Sequence, residues 1–146
     1  MQNFDDNVGK RRLLNIRKMS FSDVKEYCSQ FFSLDKTVRI QMGKELKAEI
    51  QEMNNLANGW VLAVESKDGK VFGKFEIKEI SPEKALVSIE IPNKTLVYKY
   101  GTEAIDQFVK ICKEKKYFST IKLDDSNIAE RYRRMHSLPG LEMHIA

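Results

Sequence analysis

Along the chain, the spacing of apolar residues alternates between a helical and a strand period, and each change marks an element. Residues 13–18 read as a short strand. Ser20 and Asp23 stand as a capping box, opening a helix that carries Val24, Tyr27, Cys28, Phe31 and Phe32 at helical spacing. Asp35 caps a second, longer helix to about residue 56, with Val38, Met42, Leu46, Ile50 and Met53 on one face. Gly43 is its weak point, where the pattern allows a break into two.

After Asn58-Gly59 the period becomes that of strands. Residues 60–65 are nearly all apolar, as in a strand covered on both faces. Lys67-Asp68-Gly69-Lys70 is a hairpin signal. Residues 71–80 alternate, with Phe75 and Ile77 on one face and Lys74, Glu76 and Lys78 on the other. A turn at Ser81-Pro82-Glu83 leads to residues 85–91, where Val87, Ile89 and Ile91 face one way and Leu86, Ser88 and Glu90 the other. Tight turns make these strands antiparallel neighbours.

Next, the sequence predicts an extended segment over residues 96–100 that turns at Gly101 into an amphipathic helix over 102–116, apolar at Ala104, Ile105, Phe108, Val109, Ile111 and Cys112. Residues 117–123 form a strand, and the strand–helix–strand order sets it parallel to 85–91 through a right-handed crossover. The cap-rich run at 124–127 opens a last helix to about His136, Pro139-Gly140 ends it, and residues 141–146 leave room for one final short strand. The expected class is α+β: a central mixed sheet, its first strands antiparallel and its fourth and fifth parallel, with helices on both faces. Residues 1–12 are expected to be a loose arm and 13–146 one domain.

Composition narrows the class. At 146 residues, 42% hydrophobic and 32% charged, the chain can bury a core of its own, and no apolar run is long enough to span a bilayer. Its start lacks the apolar segment of a secretion signal, and the two cysteines, Cys28 and Cys112, fit a reducing compartment, so a cytoplasmic location is expected. Neither cysteine nor His136 or His144 has a partner at metal-ligand spacing, so no metal is assigned. The net charge of +4 suits a phosphate-bearing ligand and equally suits nucleic acid.

Chemistry concentrates at the expected strand-to-helix junction. A first helical turn has unpaired N–H groups and the positive end of the dipole, and a glycine there lets the backbone approach an anion. The junction reads Tyr100-Gly101-Thr102-Glu103-Ala104. It resembles the end of the acyl-CoA loop of the GNAT superfamily of N-acyltransferases, in the branch of the ribosomal-protein N-acetyltransferases. Ile89-Glu90-Ile91-Pro92 is similar to the family's fourth strand entering that loop, and the Asp/Asn-rich cap before Ala129 and Tyr132 to its second cofactor motif. The loop departs from the family at Leu96, where arginine or glutamine is usual, and at Lys99, where glycine is usual.

The resemblance implies transfer of an acyl group, most often acetyl, from CoA to an amine by direct attack, with no enzyme nucleophile and no metal. It places the cofactor's diphosphate on the backbone of Lys99, Tyr100, Gly101, Thr102, Glu103 and Ala104, with Asn127 contributing. The pantetheine arm is expected along Ile89 and Ile91, where the fourth and fifth strands part. Glu90 is the implied base and Tyr132 the implied acid, each weighed against a plainer role, solvated carboxylate or core tyrosine. The acceptor is an amine-bearing small molecule or a protein or peptide. A homodimer sharing the final strand's edge is compatible. Two other readings stay open: a degenerate module that binds acyl-CoA weakly or serves a protein partner, and, well behind, nucleic-acid binding through Arg131, Arg133 and Arg134.

Overall fold

A computed structural model describes residues 9–11, 14–56 and 58–145. Seven strands form one sheet in sequence order: β1 (Gly9–Arg11), β2 (Leu14–Lys18), β3 (Gly59–Ser66), β4 (Val71–Ser81), β5 (Lys84–Glu90), β6 (Thr120–Leu123) and β7 (Glu142–His144). All neighbours are antiparallel except β5 and β6, which run parallel from Lys84↔Thr120 to Val87↔Leu123. The helices are α1 (Phe21–Cys28), α2 (Lys36–Asn55), α3 (Lys94–Lys115) and α4 (Asn127–Met135).

Strand alternation sends side chains into two cores. On one face Leu62, Phe75, Ile77, Val87 and Ile121 meet Ile105, Phe108 and Ile111 of α3 and Ala129 and Tyr132 of α4. Phe75 and Phe108 stack with centroids 4.9 Å apart. On the other face Val61, Ala63 and Val71 meet Val24, Tyr27 and Cys28 of α1 and Leu46, Ile50 and Met53 of α2. With both faces covered, β3 is apolar almost throughout. The capping box holds as well: the Ser20 N–H donates to Asp23 Oδ2 at 2.8 Å, and Arg17 grips that carboxylate at 2.7 and 2.8 Å.

Four expectations are corrected. Helix α1 ends at Cys28, so Phe31 and Phe32 lie past it, and Phe32 is exposed rather than core-facing. Gly9–Arg11, drawn as part of a loose arm, pairs with β2 as an edge strand; residues 1–8, 12 and 13 lie outside the described ones. Gly43 does not break α2, whose face is pinned to the sheet beyond it by Leu46, Ile50 and Met53. Most consequential, α3 starts at Lys94, capped by Asn93, so residues 96–100 are helical rather than extended and Gly101 lies two turns inside.

Candidate functional site

The longer α3 follows from its own apolar spacing. Leu96, Val97 and Tyr100 continue the stripe of Ala104, Ile105 and Phe108 and pack against the same core. The Asn93 carboxamide oxygen accepts from the N–H groups of Thr95 at 3.0 Å and Leu96 at 3.4 Å. Inside the helix, the amides of Lys99 to Ala104 take their places in the i→i−4 ladder and are not orphan donors. Gly101 has a packing role instead. A Cβ there would stand 3.1 Å from Ile128 Cγ2 and 3.4 Å from Arg131 Nη2, so its absence lets α3 cross α4 closely.

A cleft of about 520 Å³ opens beside this crossing. The β5–β6 ladder ends at Val87↔Leu123, closed by the Asp124 N–H donating to the Val87 carbonyl at 2.8 Å. Past that point β6 turns away into α4, while β5 runs on, paired only to β4. The free edge of β5 at Ile89 and Glu90, with the buried Ile91 just past it, forms one wall. Lys94, Val97 and Tyr98 of α3 form another, and Ser126, Asn127, Ile128 and Arg131 of α4 the third. Both helices begin at the cleft, α4 with Ser126 Oγ accepting from the Ala129 N–H at 3.1 Å. Arg131 donates to the Val97 carbonyl at 2.9 Å and lies 5.1 Å from the Tyr98 ring centroid. Two cations and two helix N-termini therefore give the cleft a positive end.

Glu90 joins this cleft to a second one of about 140 Å³ on the other face of the sheet, among Tyr27, Glu45, Glu49 and Lys74. The Tyr27 hydroxyl donates to Glu90 Oε1, and Lys74 Nζ lies 3.8 Å from the same oxygen while pairing with Glu76. Burial first, then the Glu90 charge, pushes the Tyr27 phenol far above its ordinary range, so it stays a donor. Glu49, hydrogen-bonded to Glu76 and partly buried, is pushed up to about 7. Its Oε1 is shut away from water without a hydrogen bond.

The implied site residues thus separate. Ile89, Glu90, Ile91 and Asn127 line the cleft. Lys99, Tyr100, Gly101, Thr102, Glu103 and Ala104 do not: Lys99 is exposed with its ammonium 5.2 Å from the Tyr100 ring, Tyr100 packs on Phe72, and Gly101 and Ala104 are buried. Tyr132 is 4% exposed, packed in the core with its ring 4.2 Å from that of His136. Burial and the nearby Asp106 push its phenol up to about 12. Sequence reasoning missed Lys94 and Tyr27, and gave Arg131 only to the nucleic-acid alternative. The signal for Lys94 was Pro92-Asn93, a helix start placed just ahead of the apolar stripe.

No protein-family model matches the sequence, and no curated protein matches it. Solved structures do. RimJ of Mycobacterium smegmatis, in complex with CoA-disulfide, is similar over 84% of this chain and 70% of its own, with a TM-score of 0.66 at 11% identity. The fold is that of the GNAT acetyltransferases. RimL, a ribosomal L7/L12 alpha-N-protein acetyltransferase in complex with coenzyme A, matches over 88% of this chain and 81% of its own, with a TM-score of 0.67 at 10% identity. A chimera of the spermidine N-acetyltransferase SpeG from Vibrio cholerae and hSSAT matches over 85% and 77%, with a TM-score of 0.65 at 14% identity. Against this GNAT background, the helical course of residues 94–100 occupies the stretch that the sequence resemblance assigned to the acyl-CoA loop.

Proposed function

We propose that this chain is an N-acyltransferase that moves an acetyl or related acyl group from CoA to an amine by direct attack. The observation that carries the reading is the position of Glu90, on the wall common to both clefts at the point where β5 parts from β6. The larger cleft suits the acyl donor. Its unpaired β5 edge offers main-chain groups to an extended amide arm, and Lys94, Arg131 and the starts of α3 and α4 offer a place for phosphate charge. The diphosphate is thereby moved from the amides around Gly101 to this positive end.

The smaller cleft suits the acceptor. Glu45 and Glu90 offer negative charge to a protonated amine there, and Glu90 takes its proton before attack, directly or through water. The thioester supplies the acyl group: the amine nitrogen forms the new amide bond as the carbon–sulfur bond breaks, and the second proton the nitrogen sheds passes, directly or through water, to the departing CoA thiolate. The Cys28 thiol, held protonated by burial and by the Glu90 charge, has no part as a nucleophile.

Calorimetric titration with acetyl-CoA is the first test. The expected result is saturable heat for the wild type and strongly weakened binding for Arg131→Glu. CoA release is then followed over a panel of amines. The second reading, a degenerate module, is favoured by the helix where a phosphate loop is usual. Absence of heat and of any thermal shift at millimolar acetyl-CoA would establish it in place of the enzyme.

A further inference from the structure

A third concavity, the groove between α1 and α2, has the opposite character from the acceptor cleft. Its floor is apolar, made by Val24 and Cys28, 1% and 4% exposed, with Ile40 beside them. It encloses about 500 Å³, the size of a small-molecule site. Every titratable group bordering it, apart from the buried Cys28, is a cation: Lys25, Lys36, Arg39, Lys44 and Lys47. None of these five pairs with a carboxylate among the described residues. Helix α2 turns Glu45 and Glu49 to the acceptor cleft and its cations to this groove.

Gly43 gives the groove its depth. Glycine in mid-helix is unfavourable relative to alanine, and its backbone here is ordinary helix. Neighbours do not demand it either: a Cβ would stand 3.6 Å from Val24 Cγ1 and 4.0 Å from Cys28 Sγ, ordinary contact. What a longer side chain would remove is the open space over Val24 and Cys28. An apolar trough ringed by unneutralised cations is complementary to a molecule with an apolar tail and an anionic head. Lysine and arginine stems extend the apolar wall, while their charged ends meet the head.

We propose that the α1–α2 groove binds a single-chain anionic amphiphile, a carboxylate with its alkyl tail along Val24, Ile40 and Gly43 and its head among Arg39, Lys44 and their neighbours. The proposal is independent of the acyltransferase reading. Its test is titration of the full chain with monomeric dodecanoate, followed by calorimetry and by amide NMR shifts. Saturable one-to-one binding with shifts centred on Ile40 and Gly43 is expected, with no such binding of dodecyltrimethylammonium. Arg39→Glu combined with Lys44→Glu should weaken dodecanoate about tenfold through lost and reversed charge. Gly43→Leu should abolish binding, and Gly43→Ala should leave the fold intact. If Gly43→Leu does not fold, the charge variant decides alone. Unsaturable binding, equal binding of the cationic amphiphile, shifts elsewhere or indifference to the charge variant would overturn the proposal. Sedimentation with phosphatidylglycerol vesicles without binding of monomeric dodecanoate would also overturn it, making the face a membrane-contacting surface instead.

Discussion

At the scale of single residues, two groups that the sequence treated as a pair come apart. Glu90 projects from β5 toward α1, where Tyr27 donates to it and both clefts open beside it. Tyr132 projects into the core beneath α4 and lines neither of the two clefts described above. A residue that removes a proton in the rate-determining step contributes roughly 10²–10⁴-fold to turnover. Glu90→Gln is therefore expected to lower kcat by that order while acetyl-CoA affinity, measured by calorimetry, stays within a few-fold. Tyr132→Phe is expected to leave turnover unchanged, because this side chain is packed in the core and lines neither cleft. A loss as large as that of Glu90→Gln would return Tyr132 to the role of acid. The reason for the divergence is geometric. Glu90 could be placed from strand alternation, since Val87 and Ile89 on the opposite face fix its direction. The side of a nine-residue helix that faces a cleft depends on the crossing angle of its neighbour, which no local spacing encodes.

At the scale of elements, β2 to β7 and both sheet faces were legible from period while the short edge strand β1 was not, and the most consequential error lay in where one helix begins. Gly101 drew the reading because glycine before a helix is a common anion-binding device. The competing evidence was distributed: Asn93 as a cap, and Leu96, Val97 and Tyr100 extending the stripe of Ala104 and Phe108 by two turns. Tertiary packing of that stripe decided the outcome. Gly101 then serves the contact of α3 with α4. Gly101→Leu is expected to destabilise the fold by about 1–3 kcal/mol, the usual cost of overpacking, in urea unfolding. A phosphate glycine predicts the reverse: stability retained and CoA binding lost. Asn93→Ala, which frees the cap, should cost about 1 kcal/mol in the same assay. The clefts themselves were not legible, since each is built where packed elements diverge, β5 from β6 and α1 from its neighbour α2, at angles that no local spacing encodes.

At the scale of the whole molecule, a seven-stranded sheet with a core on each face leaves little room for buried charge, and the charge it does bury shapes its response to pH. Glu49 is raised from an ordinary 4.5 to about 7, first by its hydrogen bond to Glu76 and then by burial. A carboxyl that binds its proton more tightly folded than unfolded stabilises the fold at low pH, and that contribution is lost as pH rises through about 7. Asp23 and Glu65 run the other way. Although burial opposes it, hydrogen bonds and charge from Arg17 and its neighbours hold both below their ordinary range, so their contribution is lost as pH falls through the acid range. The two trends meet in mildly acidic solution, where Tm should be highest. Between there and pH 8, a loss of about 1 kcal/mol is expected after discounting Glu49 for its solvent exposure, or roughly 3 °C in Tm. Glu49→Gln keeps a donor for Glu76 without a titrating proton, so its Tm should be flat across the same range. Thermal scans of both proteins from pH 5 to 8 separate the cases: parallel curves would show that Glu49 is ionised throughout and that the Glu49–Glu76 pair does not share a proton.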